Sequence, residues 1–222
     1  MTAHVLPFLA WIGIMMIPMD NLPWRYAFQA AVTALLLLWL RPWRFYTAPA
    51  IRHLPAATVI GAAVFLVWIG PELPWIYHFP YLNDLYLRYG IRPLGIITGS
   101  DTVHPYAPET CGWPLALVRL AGSAFVIAPA EEFFWRGFLY RWMVHRDFLS
   151  VPERPLHVWI FVLTAVLFGL EHDRWLVGIV AGLAYGGLYA RTRCLGAAVM
   201  AHRVTNLLLG LHVLAAGAYH FW

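Results

Sequence analysis

The chain has 222 residues, of which 61% are hydrophobic, 16% aromatic and only 12% charged. Soluble domains carry about 25% charged residues, so this composition excludes an ordinary soluble domain and indicates a membrane protein. The formal net charge of +4 does not indicate a nucleic-acid partner, because no basic stripe or RNA-binding motif accompanies it. We therefore expect an all-α protein whose surroundings are the lipid bilayer.

Apolar segments along the chain approach the roughly 20 residues that a helix needs to cross a bilayer. They lie at 5–19, 26–40, 56–70, 120–142, 157–172, 175–190 and 195–219. We predict a polytopic transmembrane helical bundle of about seven spans, with six to eight as the range because several segments are short. No room remains for a separate soluble domain. The chain is predicted to form a single integral membrane domain over 1–222, with the candidate catalytic core at 120–219.

Basic residues follow the second, fourth and sixth segments, whereas acidic residues collect in the long loop 71–112. Lys and Arg are enriched in cytoplasmic loops, so this alternation predicts that the amino terminus lies inside. It also predicts that loop 71–112 and the carboxyl terminus lie outside. No Lys or Arg precedes the first apolar run, so we expect no cleaved signal peptide. Cys111 and Cys194 fall on opposite sides, and no disulfide is expected.

The segment 120–142 contains two adjacent carboxylates and an arginine, Glu131, Glu132 and Arg136. A charge at the bilayer centre costs about 2.5–3.5 kcal/mol on insertion scales, so pairing, water or function must offset it. Residues four apart share a helix face, which predicts an ion pair between Glu132 and Arg136. Glu131 points elsewhere and is the candidate general base. We expect Pro129 to disturb the helix here. A purely structural polar network, or a site at the membrane surface, stays open from this motif alone.

Two later segments carry histidines beside a residue four positions away. His172 closes one segment, with Phe168 one turn earlier on the same face, and His202 shares a face with Asn206. A lone histidine in an apolar helix is more often a satisfied interior residue than a catalyst. Together with Glu131, however, these side chains can converge from three helices on one cavity. A carboxylate there would activate water while imidazole and amide groups stabilise an oxyanion, which suits amide hydrolysis.

The three motifs, in this order, resemble those of the CAAX-protease and bacteriocin-processing (CPBP, or Abi) family of intramembrane proteases. They are Glu131-Glu132-x-x-x-Arg136, Phe168-x-x-x-His172 and His202-x-x-x-Asn206. The resemblance covers 131–206, roughly a third of the chain. It implies a glutamic-type endopeptidase in which Glu131 activates the water and His172 orients or polarises it. His202 and Asn206 would supply the oxyanion site. The resemblance implies that Glu132, Arg136 and Phe168 support these residues.

The resemblance also bears on cofactors. Members of the family were once considered metalloproteases, and a glutamate with two histidines offers ligand types that zinc accepts. This chain has no His-Glu-x-x-His motif, so we expect no cofactor and favour a metal-free mechanism, with zinc as the alternative. Two residues are not expected from the family pattern. Glu171 adds a carboxylate beside His172, and Arg203 adds a cation in mid-span beside His202. Arg119 is interpreted as lying ahead of the membrane entry.

The expected substrate is a membrane-anchored or lipidated protein, and the expected location is a bacterial inner membrane. Two substrate classes are compatible with the resemblance: a CAAX-type protein, or an exported protein with a carboxyl-terminal sorting signal. Two non-enzymatic readings stay open. One is a non-catalytic immunity or scaffold protein of the same fold. The other is a small transporter or histidine-rich membrane protein that binds haem or quinone, although the Glu-Glu-x-x-x-Arg motif has no evident purpose there.

Overall fold

The computed structural model describes residues 1–91, 104–152 and 157–222, and within these ranges the chain is helical, without strands. The all-α class predicted from composition is confirmed. The longer helices are α1 Thr2–Met15, α2 Leu22–Leu40, α3 Leu54–Ile69, α4 Pro80–Tyr89, α5 Trp113–Val144, α6 Val158–Leu170, α7 Trp175–Thr192 and α8 Leu195–Ala216. One-turn helices occur at Pro42–Phe45, Ile51–His53, Gly70–Glu72, Pro74–His78, Pro108–Cys111, Phe148–Ser150 and Tyr219–Phe221.

Each predicted span overlaps one of these helices, but their lengths differ. Across the described ranges, three helices are long and apolar enough to cross a membrane: Ile51–Glu72, Trp113–Val144 and Leu195–Ala216. Helices α1 and α6 are apolar but shorter. The count of seven crossings therefore stays a prediction. The predicted loop 71–112 contains α4, and residues 92–103 of it lie outside the described part of the chain.

Left-handed residues end three of the helices and set their turns. Arg41 ends α2 with φ 47°, Arg193 ends α7 with φ 53°, and Gly217 ends α8 with φ 65°. The Arg193 conformation lets the chain reverse at once, so α8 begins after Cys194 and packs back against α7. At the other end of α2, the Asn21 side chain accepts a hydrogen bond from the Trp24 N–H at 3.2 Å. That bond caps the first turn of the helix.

Helix α5 is widened on both sides of Pro129. Its backbone is π-helical over Ser123–Ile127, returns to an α-helical turn over Ala128–Glu132, and is π-helical again over Phe133–Leu139. Proline lacks an N–H donor and its ring clashes with the preceding turn, so a regular ladder cannot pass through Pro129. Wider π-helical turns accommodate this and are frequent at functional sites. The disturbance predicted at Pro129 is present, and it surrounds the two glutamates.

Small residues bring the helices of the core close together. Helix α3 packs on α8 at Gly61, where an added Cβ would collide with the Ala201 carbonyl oxygen. Helix α6 packs on α7 at Gly182, where a Cβ would lie 3.0 Å from the Ala165 backbone. Such contacts are typical of helix packing in membranes, where small side chains allow close backbone approach. The result is a bundle in which α3, α5, α7 and α8 surround one buried polar region.

Candidate active site

Four of the predicted site residues line a single cavity of about 170 Å³: Glu131 of α5, His172 after α6, and His202 and Asn206 of α8. The Phe168 ring forms part of the same wall. Glu131 is only 6% exposed. The structure therefore brings together, from three separate stretches of chain, a carboxylate, two imidazoles and an amide. The contacts of each side chain determine which role it can have in a reaction.

Glu132 and Arg136 lie behind this cavity and form the predicted ion pair. Arg136 Nη1 donates to Glu132 Oε1 at 2.9 Å, and both side chains are almost completely buried. Arg136 Nη2 also donates to the Gly182 carbonyl oxygen of α7 at 3.0 Å. The guanidinium carbon lies 4.3 Å from the centre of the Phe168 ring, a cation–π distance. The pair thus fixes α5 against α6 and α7.

Glu132 also holds His202, which the sequence did not indicate. The His202 Nδ1 atom lies 3.0 Å from Glu132 Oε1. An ionised carboxylate can only accept, so Nδ1 must carry the hydrogen and the neutral ring has its acceptor nitrogen at Nε2. That Nε2 atom lies 3.7 Å from Glu131 Oε2. Two consecutive glutamates therefore approach the two nitrogens of one imidazole, and the buried Glu131 Oε2 has no hydrogen-bond partner among the described residues.

His172 occupies the turn after α6, because the helix ends at Leu170, two residues before the end of the predicted span 157–172. Its Nδ1 lies 2.8 Å from the Phe168 carbonyl oxygen, one turn back. Since a carbonyl oxygen only accepts, Nδ1 is the donor and the neutral ring again has its acceptor nitrogen at Nε2. This bond satisfies a terminal carbonyl of α6 and fixes the imidazole at the cavity wall.

Asn206 is oriented by the widened part of α5. Its Nδ2 donates to the Ser123 carbonyl oxygen at 3.0 Å, where the first π-helical stretch begins. An amide nitrogen has two hydrogens, so this bond engages one and fixes the direction of the other. The distortion around Pro129 therefore reaches a second helix. It contributes the backbone acceptor that positions the Asn206 amide.

Sequence reasoning missed two polar residues that support His202. The Tyr185 ring stacks on the His202 ring, with centroids 4.7 Å apart and planes at 21°. The Tyr185 hydroxyl donates to Thr205 Oγ1 at 2.8 Å, and Thr205 Oγ1 donates to the Gly61 carbonyl oxygen at 2.8 Å. Thr205 was detectable in principle, because it lies three residues after His202 and shares its helix face. Tyr185 gave no such signal.

The cavity continues into an outer one of about 340 Å³, which Glu131 and His172 also line. Arg119 lines both cavities, a role that the sequence did not indicate. Its position ahead of the membrane entry stays a prediction. A hydropathy profile could not predict that Arg119 lines the cavities, because its guanidinium lies near two aromatic rings from distant segments of the chain. Glu171 lines the outer cavity and accepts a hydrogen bond from Trp135 Nε1 at 2.9 Å. That bond ties the turn after α6 to α5.

Arg203 lies away from these cavities. It lines a separate apolar groove beside Val199 and Met200 on the same face of α8. It makes no contribution to the walls described above, although it follows His202 directly in sequence. Neighbours on a helix point about 100° apart, which explains the separation.

The site contains the side-chain types that zinc accepts as ligands, a carboxylate and two imidazoles. Within the described ranges, no three His, Cys, Asp or Glu side chains lie close enough together to hold a metal ion. Glu131 and the two histidines line one cavity without converging on a common point, and one ring nitrogen of each histidine is already engaged. The residues thus do not form a metal site in this arrangement.

Comparison with known protein families shows which family the segment that contains this site resembles. Residues 113–208 match the family described as type II CAAX prenyl endopeptidase Rce1-like. This segment is similar to the Rce1-like family. The match confirms the resemblance to CAAX proteases that the three motifs predicted, and it extends from the start of α5 past Asn206. No curated protein and no solved structure matches the chain. The matched family is one of proteases acting on membrane-anchored proteins, which supports a peptidase activity in general terms.

Proposed function

We propose that this protein is an intramembrane endopeptidase of glutamic type that hydrolyses a peptide bond in a membrane-anchored or lipidated protein. The observation that carries the proposal is the state of Glu131. Its carboxylate is buried, has one oxygen without a hydrogen-bond partner among the described residues, and faces a cavity lined by His172, His202 and Asn206. A carboxylate kept unpaired in a membrane is costly, and a catalytic task accounts for that cost.

In the proposed reaction, Glu131 accepts a proton from a water molecule while the water oxygen attacks the substrate carbonyl carbon. His172 orients this water through Nε2. The oxyanion that forms accepts a hydrogen bond from the second Asn206 N–H, and one from His202 when its Nε2 is protonated. The C–N bond then breaks as the proton on Glu131 passes to the leaving amine. Two products result, a carboxylic acid and an amine, which exchange a proton to become a carboxylate and an ammonium group, and Glu131 is returned ionised.

Glu132 and Arg136 have a positioning role in this proposal. The Glu132 carboxylate fixes the His202 ring through Nδ1, so that Nε2 remains directed toward Glu131. Arg136 neutralises Glu132 and anchors it to α7. A carboxylate that accepts a hydrogen bond from one nitrogen of an imidazole can orient the other nitrogen for catalysis in the same way. Neither residue lines the inner cavity or needs to touch the substrate.

The proposal includes a location and a substrate class. We place the protein in a bacterial inner membrane with about seven crossings, and the active site toward the outer face. The outer cavity is lined by Arg174, Phe221 and Trp222, residues at the end of the bundle that the charge pattern predicts to be outside. Substrates of both predicted classes, CAAX-type proteins and proteins with a carboxyl-terminal sorting signal, remain candidates on this basis.

The experiment is cleavage of co-expressed substrates by the wild type and by Glu131→Gln, with a metal chelator as a third condition. One substrate carries a lipidated cysteine near its carboxyl terminus, and the other carries a carboxyl-terminal sorting helix. The matched control is Glu109→Gln, which makes the same change at an exposed position outside the cavities. We expect cleavage by the wild type and the control, no effect of chelator, and loss of cleavage in a folded Glu131→Gln protein.

Each other outcome changes the conclusion. Chelator-sensitive cleavage would make the enzyme a metalloprotease. Normal cleavage by Glu131→Gln would mean that Glu131 is not the general base and belongs to a structural network. Absence of cleavage by the wild type would favour a scaffold or immunity protein of the same fold. A purified protein with visible haem absorbance would favour the cofactor-binding reading. The Glu131→Gln result decides whether Glu131 has a catalytic or a structural role, because the substitution keeps the shape of the side chain and removes its charge.

A further inference from the structure

Helix α4 leaves a large apolar face uncovered on the surface of the protein. Two tyrosines and two leucines of this helix are between 43% and 76% exposed: Tyr81, Leu82, Leu85 and Tyr89. The short segment before the helix adds three exposed aromatic rings, those of Trp75, Tyr77 and Phe79. A contiguous exposed apolar patch of this kind marks an interaction surface.

The surface of α4 is divided into three sectors. Successive residues turn by about 100° around a helix, so the four exposed apolar side chains fall within about 100° of one another. Asp84 and Arg88 occupy a second exposed sector, where Arg88 Nη2 donates to Asp84 Oδ1 at 3.3 Å. Tyr86 and the following Gly90 are buried and face the bundle. The helix therefore presents one side to protein, one apolar side and one charged side.

The position of α4 in the chain places it near a membrane surface. The candidate span Ile51–Glu72 ends shortly before it, and the end of a span lies at the boundary between lipid and water. Trp and Tyr are enriched at that boundary. The segment 74–89 contains one Trp and four Tyr among its 16 residues. Both the position and the composition of the segment are thus those of an interfacial element.

Hydrogen bonds hold both ends of this segment against the bundle. Trp175 Nε1 donates to the Tyr89 carbonyl oxygen at 2.7 Å, and the Leu176 N–H donates to the Gly90 carbonyl oxygen at 3.5 Å. Before the segment, Arg174 Nη2 donates to Glu72 Oε2 at 3.0 Å. The apolar sector of α4 therefore has a fixed direction relative to the helices that cross the membrane.

We propose that α4 is an interfacial helix that lies along the membrane surface and binds the lipid head-group region through its apolar sector. A helix with an apolar and a charged side fits this boundary, with its apolar side about 5–10 Å into the head-group and acyl region. Part of the loop predicted to lie outside would thus follow the membrane surface instead of projecting into solvent. The inference goes beyond the proposed function and does not rest on it, because it concerns only how the chain meets lipid.

The test measures the depth of a single fluorescent label in phosphatidylcholine nanodiscs. The background protein carries Cys111→Ser and Cys194→Ala, which remove the two native thiols. The label is attached at Leu85→Cys in the apolar sector or, as the matched control, at Asp84→Cys in the charged sector. Both side chains are exposed, so neither change disturbs packed core. Depth is read from quenching by lipids spin-labelled at the head group or along the acyl chain, and by iodide in the water.

We expect opposite results at these neighbouring positions. The label at Leu85→Cys should lie about 5–10 Å below the head-group boundary, where acyl-chain spin labels quench it and iodide does not. The label at Asp84→Cys should be quenched by iodide and little affected by acyl-chain spin labels, because its side chain points about 100° away on the helix.

A second pair of proteins tests whether the apolar side chains cause the insertion. The label is now at Tyr89→Cys, which belongs to the same apolar sector. Combining it with Leu82→Ser and Leu85→Ser should remove most of the quenching by acyl-chain spin labels, since the sector loses its apolar area. The control combines it with Asp84→Ser and Arg88→Ser, which alter the charged sector of the same helix. This control should leave the depth of the label unchanged.

Three other outcomes would overturn the proposal. If iodide quenches the label at Leu85→Cys as strongly as that at Asp84→Cys, the apolar sector faces water. If neither iodide nor spin-labelled lipid quenches it, protein covers the sector, as in a contact between two copies of this chain. If the label at Tyr89→Cys keeps its depth after both leucines are replaced, the apolar sector does not bind lipid. None of these measurements uses a substrate, so they stand or fall independently of the peptidase assignment.

Discussion

Replacing Glu132 by Gln tests most directly whether Glu132 has a structural role that differs from the role of the adjacent Glu131. The substitution keeps the size of the side chain and removes its charge. It leaves Arg136 buried without its counter-ion and weakens the hydrogen bond to His202 Nδ1. Both side chains of the ion pair are almost fully buried, 0% exposed for Glu132 and 4% for Arg136, so water cannot replace the lost partner.

The expected loss of unfolding free energy follows from these contacts. Breaking a buried ion pair by removing one partner costs about 3–5 kcal/mol. Arg136 keeps its hydrogen bond to the Gly182 carbonyl and its contact with the Phe168 ring, and the Gln amide oxygen can still accept one hydrogen bond. We therefore expect a value toward the lower end, about 3 kcal/mol. The cleavage activity of the Glu132→Gln variant should also be lower than that of the wild type, because the His202 ring loses the carboxylate that orients it.

The measurement is reversible unfolding in mixed detergent micelles, followed through tryptophan fluorescence. The chain offers a matched control in the exposed pair Asp84 and Arg88, which has the same four-residue spacing, an Nη2 to Oδ1 distance of 3.3 Å and side chains more than half exposed. Asp84→Asn should cost less than about 0.5 kcal/mol, as surface ion pairs do. If Glu132→Gln costs no more than Asp84→Asn, water reaches the Glu132 pair and the assignment of a dry structural role is refuted.

Glu131→Gln should behave in the opposite way in the same assay. Its Oε2 atom has no hydrogen-bond partner among the described residues, so removing the charge takes away a desolvation cost and breaks no hydrogen bond at that oxygen. We expect unchanged or slightly higher stability together with lost cleavage. A stability loss of several kcal/mol would instead indicate that Glu131 is part of the structural network.

Three further changes test other parts of the site. Asn206→Ala should lower kcat by about 10²–10³ with little change in KM in a cleavage assay, because it removes an oxyanion donor. Gly61→Ala should lower the free energy of unfolding by about 1–3 kcal/mol, because the new Cβ collides with the Ala201 carbonyl oxygen. The measurement is the melting temperature in detergent, which should fall. An unchanged melting temperature would mean that α3 and α8 separate freely. Trp135→Phe should cost about 1 kcal/mol in the same unfolding measurement, because Glu171 loses its donor.

Local periodicity explains what the sequence could predict. The ion pair between Glu132 and Arg136 depends only on helical spacing, and the same holds for the shared faces of Phe168 with His172 and of His202 with Asn206. Those pairs are the motifs through which the family was recognised. The helical class also followed, since composition alone excluded a soluble domain. The number of membrane crossings did not follow, because several helices are too short for length to decide.

Contacts between distant segments explain what the sequence could not predict. The bond from His202 to Glu132 joins residues 70 positions apart, and nothing in either motif indicates which glutamate the imidazole meets. The position of Arg119 depends on Tyr26, which is 93 positions away. A hydropathy profile treats an arginine near a span as a marker of the membrane edge. Only the packing of α2 against α5 turns it into a residue of the cavity.

The adjacency of Glu131 and Glu132 has a geometric consequence that neither residue has alone. Consecutive side chains on a helix diverge by about 100°, so one carboxylate can point into the protein while the next faces a cavity. Here the same imidazole lies between them, with Nδ1 on the buried glutamate and Nε2 toward the cavity glutamate. Binding by Glu132 thus fixes which nitrogen of His202 can exchange a proton near Glu131. A single glutamate could orient the ring or activate water, and in the proposed mechanism the pair does both, which would account for the second costly charge in this apolar segment.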